Sequence, residues 1–315
     1  MKNHVKTLYF CVFLALLIAL LIGYFLHVRP TYGEVKSGFW RPPKNVSATL
    51  ASLPKEIGDL SIWVLDVGQG DSSLVHFPTG ELMLIDGGDY KAGPKILRWL
   101  SETGLTNLTY LVITHPHADH IGGLASILKG VNVKEVYLPG EKSGSTSQSK
   151  TYRDLVRTLE ARDLFFKDAY SGGIILTNDY FACFFIAPRA HHYSDLNGSS
   201  ACVFLQFGLH KALITGDATA ESEVEMLESF PEELKNLTFL KVAHHGSKSS
   251  STEAFLRLTK PKVAVISLGQ NNRYGHPHRP VWDRLLNWCE EIYRTDLDGT
   301  IEFISDGQEF EIGLP

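Results

Sequence analysis

The sequence predicts a layered α/β domain from about residue 59 onward, with mixed sheets and helices on the outside. Short runs of β-branched and aromatic residues, such as SIWVLDVG and YLVITH, alternate with stretches of helical periodicity such as PKILRWLSETG. Some strand-like runs follow each other directly, as Leu74–Phe77 and Leu82–Ile85 do, so hairpins are expected. Adjacent hairpin strands disfavour a purely parallel sheet.

The two halves of this domain repeat one pattern. Each half contains a hairpin, a strand that ends in an acidic residue, a helix, and a strand that ends in histidines. The corresponding stretches read LMLIDGG then YLVITHPHADH, and ALITGDA then FLKVAHH. If two such sheet halves face each other, both histidine-bearing strand ends lie at one edge of the domain.

Composition and charge limit the possible functions. The chain has 315 residues, of which 44% are hydrophobic and 21% charged, as in an ordinary globular protein. Its formal net charge of −5 gives no general attraction to nucleic acid, so such a contact needs a local basic groove. Cysteines occur at Cys11, Cys183, Cys202 and Cys289 without a C-x-x-C pair, which predicts neither a disulfide framework nor a thiolate metal site.

The amino terminus has the features of a membrane anchor. Leu8–Leu26 is a 19-residue run without a charge, and as a helix it spans about 28 Å, close to the roughly 30 Å of a bilayer core. A cleaved signal peptide is the alternative, but the run ends in GYFLHVRP, which lacks the small residues of a cleavage site. Lys2 and Lys6 precede the run and Arg29 follows it, which favours a domain outside the cytoplasm.

The sequence therefore predicts three regions. Residues 1–30 form a single transmembrane anchor, and residues 31–58 form a linker because they mix proline, glycine, serine and charge without periodicity. Residues 59–315 form the α/β domain.

Residues 113–123, ITHPHADHIGG, bring metal-coordinating side chains together at His115, His117, Asp119 and His120. The first two histidines lie two apart in an extended segment, so both can point at one cation. The aspartate and the last histidine are expected to begin a helix, where adjacent side chains diverge toward a second cation. The glycine pair lets this turn approach neighbouring backbone closely. This loop therefore predicts ligands for two metal ions.

One loop cannot complete two coordination spheres, so remote strand ends must supply further ligands. Asp217 ends KALITGD, where it could bridge two ions, and His244 or His245 ends TFLKVAHHGS. Asp217 has an alternative role as a helix N-cap, whereas His191 and His192 are interpreted as an exposed loop. Two ions roughly 3.5–4 Å apart activate water and stabilise a developing oxyanion. Imidazole and carboxylate ligands favour zinc, with manganese or iron as alternatives.

These residues resemble a known family. THPHADHIGG is similar to the motif of the metallo-β-lactamase superfamily, whose fold is an αββα sandwich with its metals at one edge. LDVGQGDSSLV, LMLIDGG, LITGDA, LKVAHHGSKSSS and NRYGHPHRP further resemble the metallo-β-lactamase domain of ComEC-type DNA-uptake competence proteins. The resemblance covers residues 60–312 in the correct order. It implies the same αββα fold here.

By position, the resemblance implies these metal ligands: His115 and His117 for one ion, Asp119, His120 and His244 for the other, and Asp217 as a bridge. It implies catalytic roles for Asp119, and for His245 and His276 as phosphate contacts or a general acid. Asp86 is expected to brace the metal loop by hydrogen bonds. Asp71 is expected near the site, without an assigned role.

The sequence departs from β-lactamases and glyoxalases at one ligand. Those enzymes have a further metal-binding histidine before the bridging aspartate, and here Asn197, Ser199 or Ser200 stands in its place. The first ion therefore lacks a nitrogen ligand, and manganese becomes an alternative to zinc. β-Lactam hydrolysis is not expected.

The leading functional hypothesis is a membrane-anchored, extracytoplasmic phosphodiesterase with two divalent metal ions. Lys248 lies beside the predicted metals and suits an anionic substrate, as does Asn197. Arg273 belongs to NRYGHPHR, which could form a positive, partly aromatic rim that binds single-stranded DNA, although a polar loop that caps the next helix explains it equally well. The alternatives are a phosphorylcholine-esterase-like envelope hydrolase and a non-catalytic, metal-bearing partner of a DNA-uptake channel.

Overall fold

The computed structural model describes residues 57–140, 149–189, 193 and 195–315. The predicted anchor, nearly all of the predicted linker, and the His191–His192 pair lie outside these residues. Within the described part of the chain, no helix is long and apolar enough to cross a membrane.

The strands form two mixed sheets. In chain order they are β1 (Leu60–Val64), β2 (Ser73–His76), β3 (Leu82–Ile85), β4 (Asn107–Val112), β5 (Asn132–Leu138), β6 (Phe166–Asp168), β7 (Ile174–Thr177), β8 (Phe181–Ala187), β9 (Cys202–Phe207), β10 (His210–Ile214), β11 (Phe239–Lys241), β12 (Val263–Ile266), β13 (Glu291–Arg294), β14 (Ile301–Ser305) and β15 (Phe310–Gly313). The eight-stranded sheet has the order β15-β14-β1-β2-β3-β4-β5-β6, and the seven-stranded sheet has the order β13-β12-β11-β10-β9-β8-β7.

All but the last of the helices connect strands of the same sheet, and α9 connects β13 of the second sheet to β14 of the first. They are α1 (Ala92–Thr103), α2 (Ala118–Ile121), α3 (Leu124–Ile127), α4 (Lys150–Glu160), α5 (Ala220–Ser229), α6 (Pro231–Leu234), α7 (Glu253–Thr259), α8 (Arg279–Trp288) and α9 (Thr295–Asp298). The sequence predicted one helix over DHIGGLASIL, but the structure has two single turns, α2 and α3, separated by Gly122 and Gly123. The backbone packs tightly there, since a Cβ on Gly123 would lie 2.1 Å from the Gly87 carbonyl oxygen.

The main core lies between the two sheets. Phe77, after β2, stacks on Phe181 of β8 at 5.5 Å between ring centroids, and Phe239 of β11 contacts Phe303 of β14 at 5.3 Å. A second apolar cluster covers the outer face of the first sheet, where Ile96 of α1 is buried. On the second sheet, Phe184 and Phe230 meet at 5.9 Å under α5. Helices therefore cover both outer faces, and the predicted mixed α/β sandwich is confirmed.

The predicted repeat is present in the strand pairing. β2 and β3 pair antiparallel and β3 and β4 pair parallel, just as β9 and β10 pair antiparallel and β10 and β11 pair parallel. Because parallel strands end at the same edge of a sheet, Asp86 after β3 lies beside the loop after β4. Asp217 after β10 likewise lies beside the histidines after β11. The two halves bring these strand ends to one edge of the domain.

Candidate metal centre

Two groups of potential ligands meet at this edge. We call the first the His117 group, which contains His115, His117 and Asp217. We call the second the His245 group, which contains Asp119, His120 and His245. Within each group the candidate ligand atoms lie within 4.8 Å of one another.

Asp217 lies between the two groups. Its Oδ2 is 3.8 Å from Nε2 of His115, and its Oδ1 is 3.3 Å from Nε2 of His120. Oδ1 is also 3.8 Å from Nε2 of His245. The two oxygens of one carboxylate therefore face different groups, which is the geometry of a bridging ligand.

Several buried polar atoms at this edge have no hydrogen-bond partner within the described residues. They include Nε2 of His120, Nε2 of His245 and Oδ1 of Asp217. An unsatisfied buried polar group costs about 1–3 kcal/mol, so three that converge on one point need an explanation. Divalent cations satisfy them, and imidazole with carboxylate is a donor set that zinc and manganese accept. The cluster is compatible with a dinuclear metal site.

Asp86 braces the metal loop from below. Its carboxylate accepts hydrogen bonds from the Thr114 backbone N–H at 2.8 Å and the Thr114 hydroxyl at 2.6 Å. Its Oδ2 also lies 2.7 Å from Nδ1 of His120. When Nδ1 donates to this carboxylate, Nε2 carries the free lone pair that points toward the ligand cluster. The geometry is the one expected of Asp86 from the sequence.

Burial and nearby charge set the ionisation of these groups. Burial, with His120 beside it, holds the pKa of His115 well below its ordinary value, so the imidazole is in its neutral, coordinating form. In the metal-free protein burial raises the pKa of Asp217, but the protonated forms of His120 and His245 outweigh burial and hold that pKa well below its usual range. The carboxylate between the groups is therefore ionised.

The structure exchanges the places that the sequence predicted for His244 and His245. His245 is buried and belongs with Asp119, since its Nε2 lies 3.5 Å from Oδ2 of Asp119. His244 is partly exposed and belongs to neither group, although its Nε2 lies 3.5 Å from Oδ2 of Asp217. Both histidines have left-handed backbone, with φ of 50° and 53°. In this turn both rings lie near Asp217, but only the His245 ring is buried against Asp119, and the sequence gives no signal for it.

A cavity of about 340 Å³ opens over the two groups. Its lining includes Asn197, His244 and His276, beside Asp119 and Asp217. The Asn197 Oδ1 and the His276 Nδ1 are buried and have no hydrogen-bond partner among the described residues. The predicted site residues Asn197 and His276 therefore lie at the cluster.

The other two predicted substrate contacts lie farther out. Arg273 lines an adjoining cavity of about 580 Å³. The Lys248 side chain is exposed and lies outside the lining of both cavities. Its backbone N–H donates to Nδ1 of His278 at 3.0 Å, so this part of the chain helps to fix the 270–278 loop.

Ser200 supports the site without facing a candidate metal position. Its hydroxyl accepts a hydrogen bond from the Asp217 backbone N–H at 3.1 Å and lies 3.4 Å from Nδ1 of His115. The His115 nitrogen that faces the cluster is the other one, Nε2. Of the three residues that replace the missing histidine, Asn197 is the one that lines the cavity.

A buried ion pair beneath the His245 group was not predicted from the sequence. Lys241 donates to Oδ2 of Asp71, and both residues are buried. A lysine inside the apolar strand TFLKVA was an available signal, because a buried ammonium needs a partner.

Comparison with known proteins agrees with this geometry. The family model described as the metallo-beta-lactamase superfamily matches residues 65–270. ComE operon protein 3 of Bacillus subtilis (strain 168) is 32% identical over 257 residues, which are 76% of this chain and 32% of that protein. Competence protein ComA of Neisseria gonorrhoeae is 29% identical over 278 residues, which are 88% of this chain and 36% of that protein. The chain thus spans about a third of the length of these relatives.

A solved structure of similar fold is a metal-dependent hydrolase of the beta-lactamase superfamily. It aligns with a TM-score of 0.49 at 16% identity, and the alignment covers 75% of this chain and 95% of the other. The family match covers most of the described domain, and the resemblance inferred from the motifs is confirmed. The chain belongs to the metallo-beta-lactamase superfamily and is related to competence proteins.

Proposed function

We propose that the protein is a phosphodiesterase that uses two divalent metal ions, with zinc favoured and manganese as the alternative. The observation that carries the proposal is the pair of ligand groups on either side of Asp217, beneath one open cavity. Two ions so placed activate water and neutralise negative charge on phosphoryl oxygens. His115 and His117 would hold one ion, Asp119, His120 and His245 the other, and Asp217 both.

Residues of the cavity wall have separate roles in this proposal. His244 and His276 lie on the open side of Asp217, with their ring centroids 5.9 Å apart. Their ring N–H groups are placed to hydrogen-bond phosphoryl oxygens and to assist proton transfer to the leaving group. Asn197, in the loop before β9, adds an amide contact to the same cavity. In this proposal His245 is the metal ligand and His244 the substrate contact, whereas the sequence predicted the reverse.

We propose that the substrate is a polymer, single-stranded DNA. The adjoining cavity is the observation that supports this proposal. The two cavities share Asp119 and Tyr274, so they form one groove that leads away from the metal centre. Tyr90 and Tyr274 line it and are 70% and 49% exposed. The Arg273 guanidinium lies 5.1 Å from the Tyr274 ring centroid. Exposed aromatic faces beside a cation suit base stacking and backbone contact.

We also propose that the domain is tethered to a membrane and faces away from the cytoplasm. The uncharged run Leu8–Leu26 supports an anchor, and the lysines before it support the orientation. The similarity to competence proteins supports a place near a DNA-uptake system.

The test compares three substrates with the full-length protein in detergent, loaded with zinc or manganese. We expect hydrolysis of a single-stranded oligonucleotide and of bis(p-nitrophenyl) phosphate, but not of p-nitrophenylphosphorylcholine. Asp119→Ala should abolish turnover without a change in thermal unfolding of the metal-free protein. Asp154→Ala is the matched control, because this carboxylate lies on α4, pairs with Lys150 and Arg157, and belongs to neither ligand group.

Other outcomes identify the alternatives. Turnover of the phosphorylcholine ester alone would favour an envelope esterase. Metal binding without turnover of any substrate would favour a non-catalytic partner of an uptake channel. Unchanged turnover in Asp119→Ala would contradict the site itself.

A further inference from the structure

The buried ion pair between Lys241 and Asp71 has no role in the function proposed above. Lys241 is the last residue of β11 and is 1% exposed. Its ammonium also donates to the Val242 carbonyl oxygen at 3.1 Å. Removing an ammonium and a carboxylate from water costs several kcal/mol for each ion. An apolar side chain at the end of this strand would avoid that cost, so the pair needs a specific reason.

Asp71 touches two members of the His245 group. Its Oδ1 lies 3.3 Å from Nδ1 of His245. Its backbone N–H donates to the Asp119 carbonyl oxygen at 3.1 Å. Lys241 comes from the second sheet and Asp71 from the loop between β1 and β2 of the first, so the pair joins the two halves of the site.

The Nδ1 side of His245 is where its ring orientation is set. Nδ1 lies 2.8 Å from the Ser267 carbonyl oxygen, and the Ser267 hydroxyl donates to the Gly70 carbonyl oxygen at 2.6 Å. Asp71 is the charged group on this side of the ring, whereas Nε2 faces Asp119 and Asp217. The Ser267 carbonyl oxygen is placed to accept the Nδ1 proton and fix the ring, while Oδ1 of Asp71 has no hydrogen-bond partner within the described residues and acts on the ring through its charge. A carboxylate charge behind a ligating imidazole strengthens the ligand.

Asp71 is also close enough to compete for a cation. Its carboxylate lies within 4.8 Å of candidate ligand atoms of Asp217 and His245, and of Asp86 and His120. Lys241 occupies Oδ2 of this carboxylate. An ammonium held there keeps Asp71 behind the His245 ring instead of among the ligands.

We propose that Lys241 is a positioning residue: it holds Asp71 out of the coordination sphere, so that the Asp71 charge stays behind His245 and strengthens this ligand of the ion of the His245 group. This inference rests on the dinuclear centre of the proposed function, but not on the substrate. If the wild-type protein binds two ions yet cleaves no phosphodiester, the proposed function fails while the role of Lys241 stays testable.

The test measures metal binding and stability separately. Full-length Lys241→Met, Asp71→Asn and the double variant are titrated with Co²⁺ by visible absorption, and the metal-free proteins are melted. We expect both single variants and the double variant to bind the ion of the His245 group about 10–100-fold more weakly, with a changed Co²⁺ spectrum. The double variant should recover the unfolding temperature lost in Lys241→Met, because no unpaired charge stays buried.

Lys211→Met is the matched control, since this lysine lies on the neighbouring strand β10 and donates to carbonyl oxygens of Glu232 and Lys235 instead. It should bind both ions as the wild type does. Two results would overturn the proposal: wild-type affinity for both ions in Lys241→Met, or recovery of both stability and affinity in the double variant. If Lys241→Met does not fold, the double variant decides alone.

Discussion

The His117 group and the His245 group differ in how their ligands are supported. In the His245 group, the Nδ1 of His120 contacts Asp86 and the Nδ1 of His245 contacts Ser267 and Asp71. In the His117 group, His117 is only half-buried, and its Nδ1 lies 2.9 Å from Nε2 of His115. The His245 group is thus supported from behind by carboxylates, whereas in the His117 group the Nδ1 of His115 faces, among the described residues, only the hydroxyls of Thr114 and Ser200.

This difference in support predicts a difference in how strongly the two ions are bound. Carboxylates behind the ligating histidines strengthen the binding of an ion. The His117 group contains two histidines and a shared carboxylate, so more of its coordination sphere stays free for water and substrate. We therefore expect the ion of the His117 group to be bound more weakly.

Replacement of Asp217 should produce the largest effect, because its oxygens face both groups. We expect Asp217→Ala to lose both ions and its phosphodiester turnover to fall to background. Metal content by mass spectrometry and turnover of bis(p-nitrophenyl) phosphate measure this. The exposed-carboxylate variant Asp154→Ala should keep both properties. A folded Asp217→Ala protein that retains two ions would show that this carboxylate does not bridge them.

A smaller, selective effect is expected at Asn197. Asn197→His would restore a third imidazole beside the His117 group, because the amide already lines the cavity with a buried, unpartnered oxygen. We expect zinc affinity at the weaker position to rise by at least about tenfold, since a direct ligand contributes more than an outer contact. Calorimetric titration measures the two affinities. If only the higher of the two affinities changes, the assignment of the weaker position to the His117 group is wrong.

The smallest effect concerns Glu223, which supports the loop after His245. Its carboxylate accepts the backbone N–H groups of Ser251 and Thr252 at 2.5 and 2.9 Å. Burial raises its pKa from 4.5 to about 7. Because the folded pKa lies above the ordinary one, the stability contributed by the protonated form is complete below pH 4.5 and is lost as the pH rises through about 7.

We expect Glu223→Gln to remove this component of the pH dependence. The metal-free wild type should lose a few degrees more of unfolding temperature between pH 5 and pH 8 than the glutamine variant does. Calorimetric melting of both proteins across this range measures the difference. Parallel pH profiles would mean that Glu223 is ionised throughout the range, and that burial does not raise its pKa.

The sequence predicted those parts of the site that depend on local order. His115, His117, Asp119 and His120 share one loop, so strand periodicity and spacing were enough to bring them together. Asp217 was predictable because the repeated strand pattern puts both halves at one edge.

The parts that the sequence could not predict depend on backbone conformation or on distant contacts. The left-handed turn at His244 and His245 determines which of these two rings lies beside Asp119. The contact between Lys241 and Asp71 joins residues 170 positions apart. Close packing at the glycine pair divides the expected helix into two turns. Tertiary packing determines each of these features, and no periodic pattern in the sequence predicts that packing.

Anomalous diffraction from crystals of the zinc-loaded protein would locate the metal ions themselves. We expect two peaks about 3.5–4 Å apart, one bound by His115 and His117, the other by Asp119, His120 and His245, with an Asp217 oxygen on each. No peak at this edge of the sandwich, or a single ion held by all of these side chains together, would contradict the dinuclear centre.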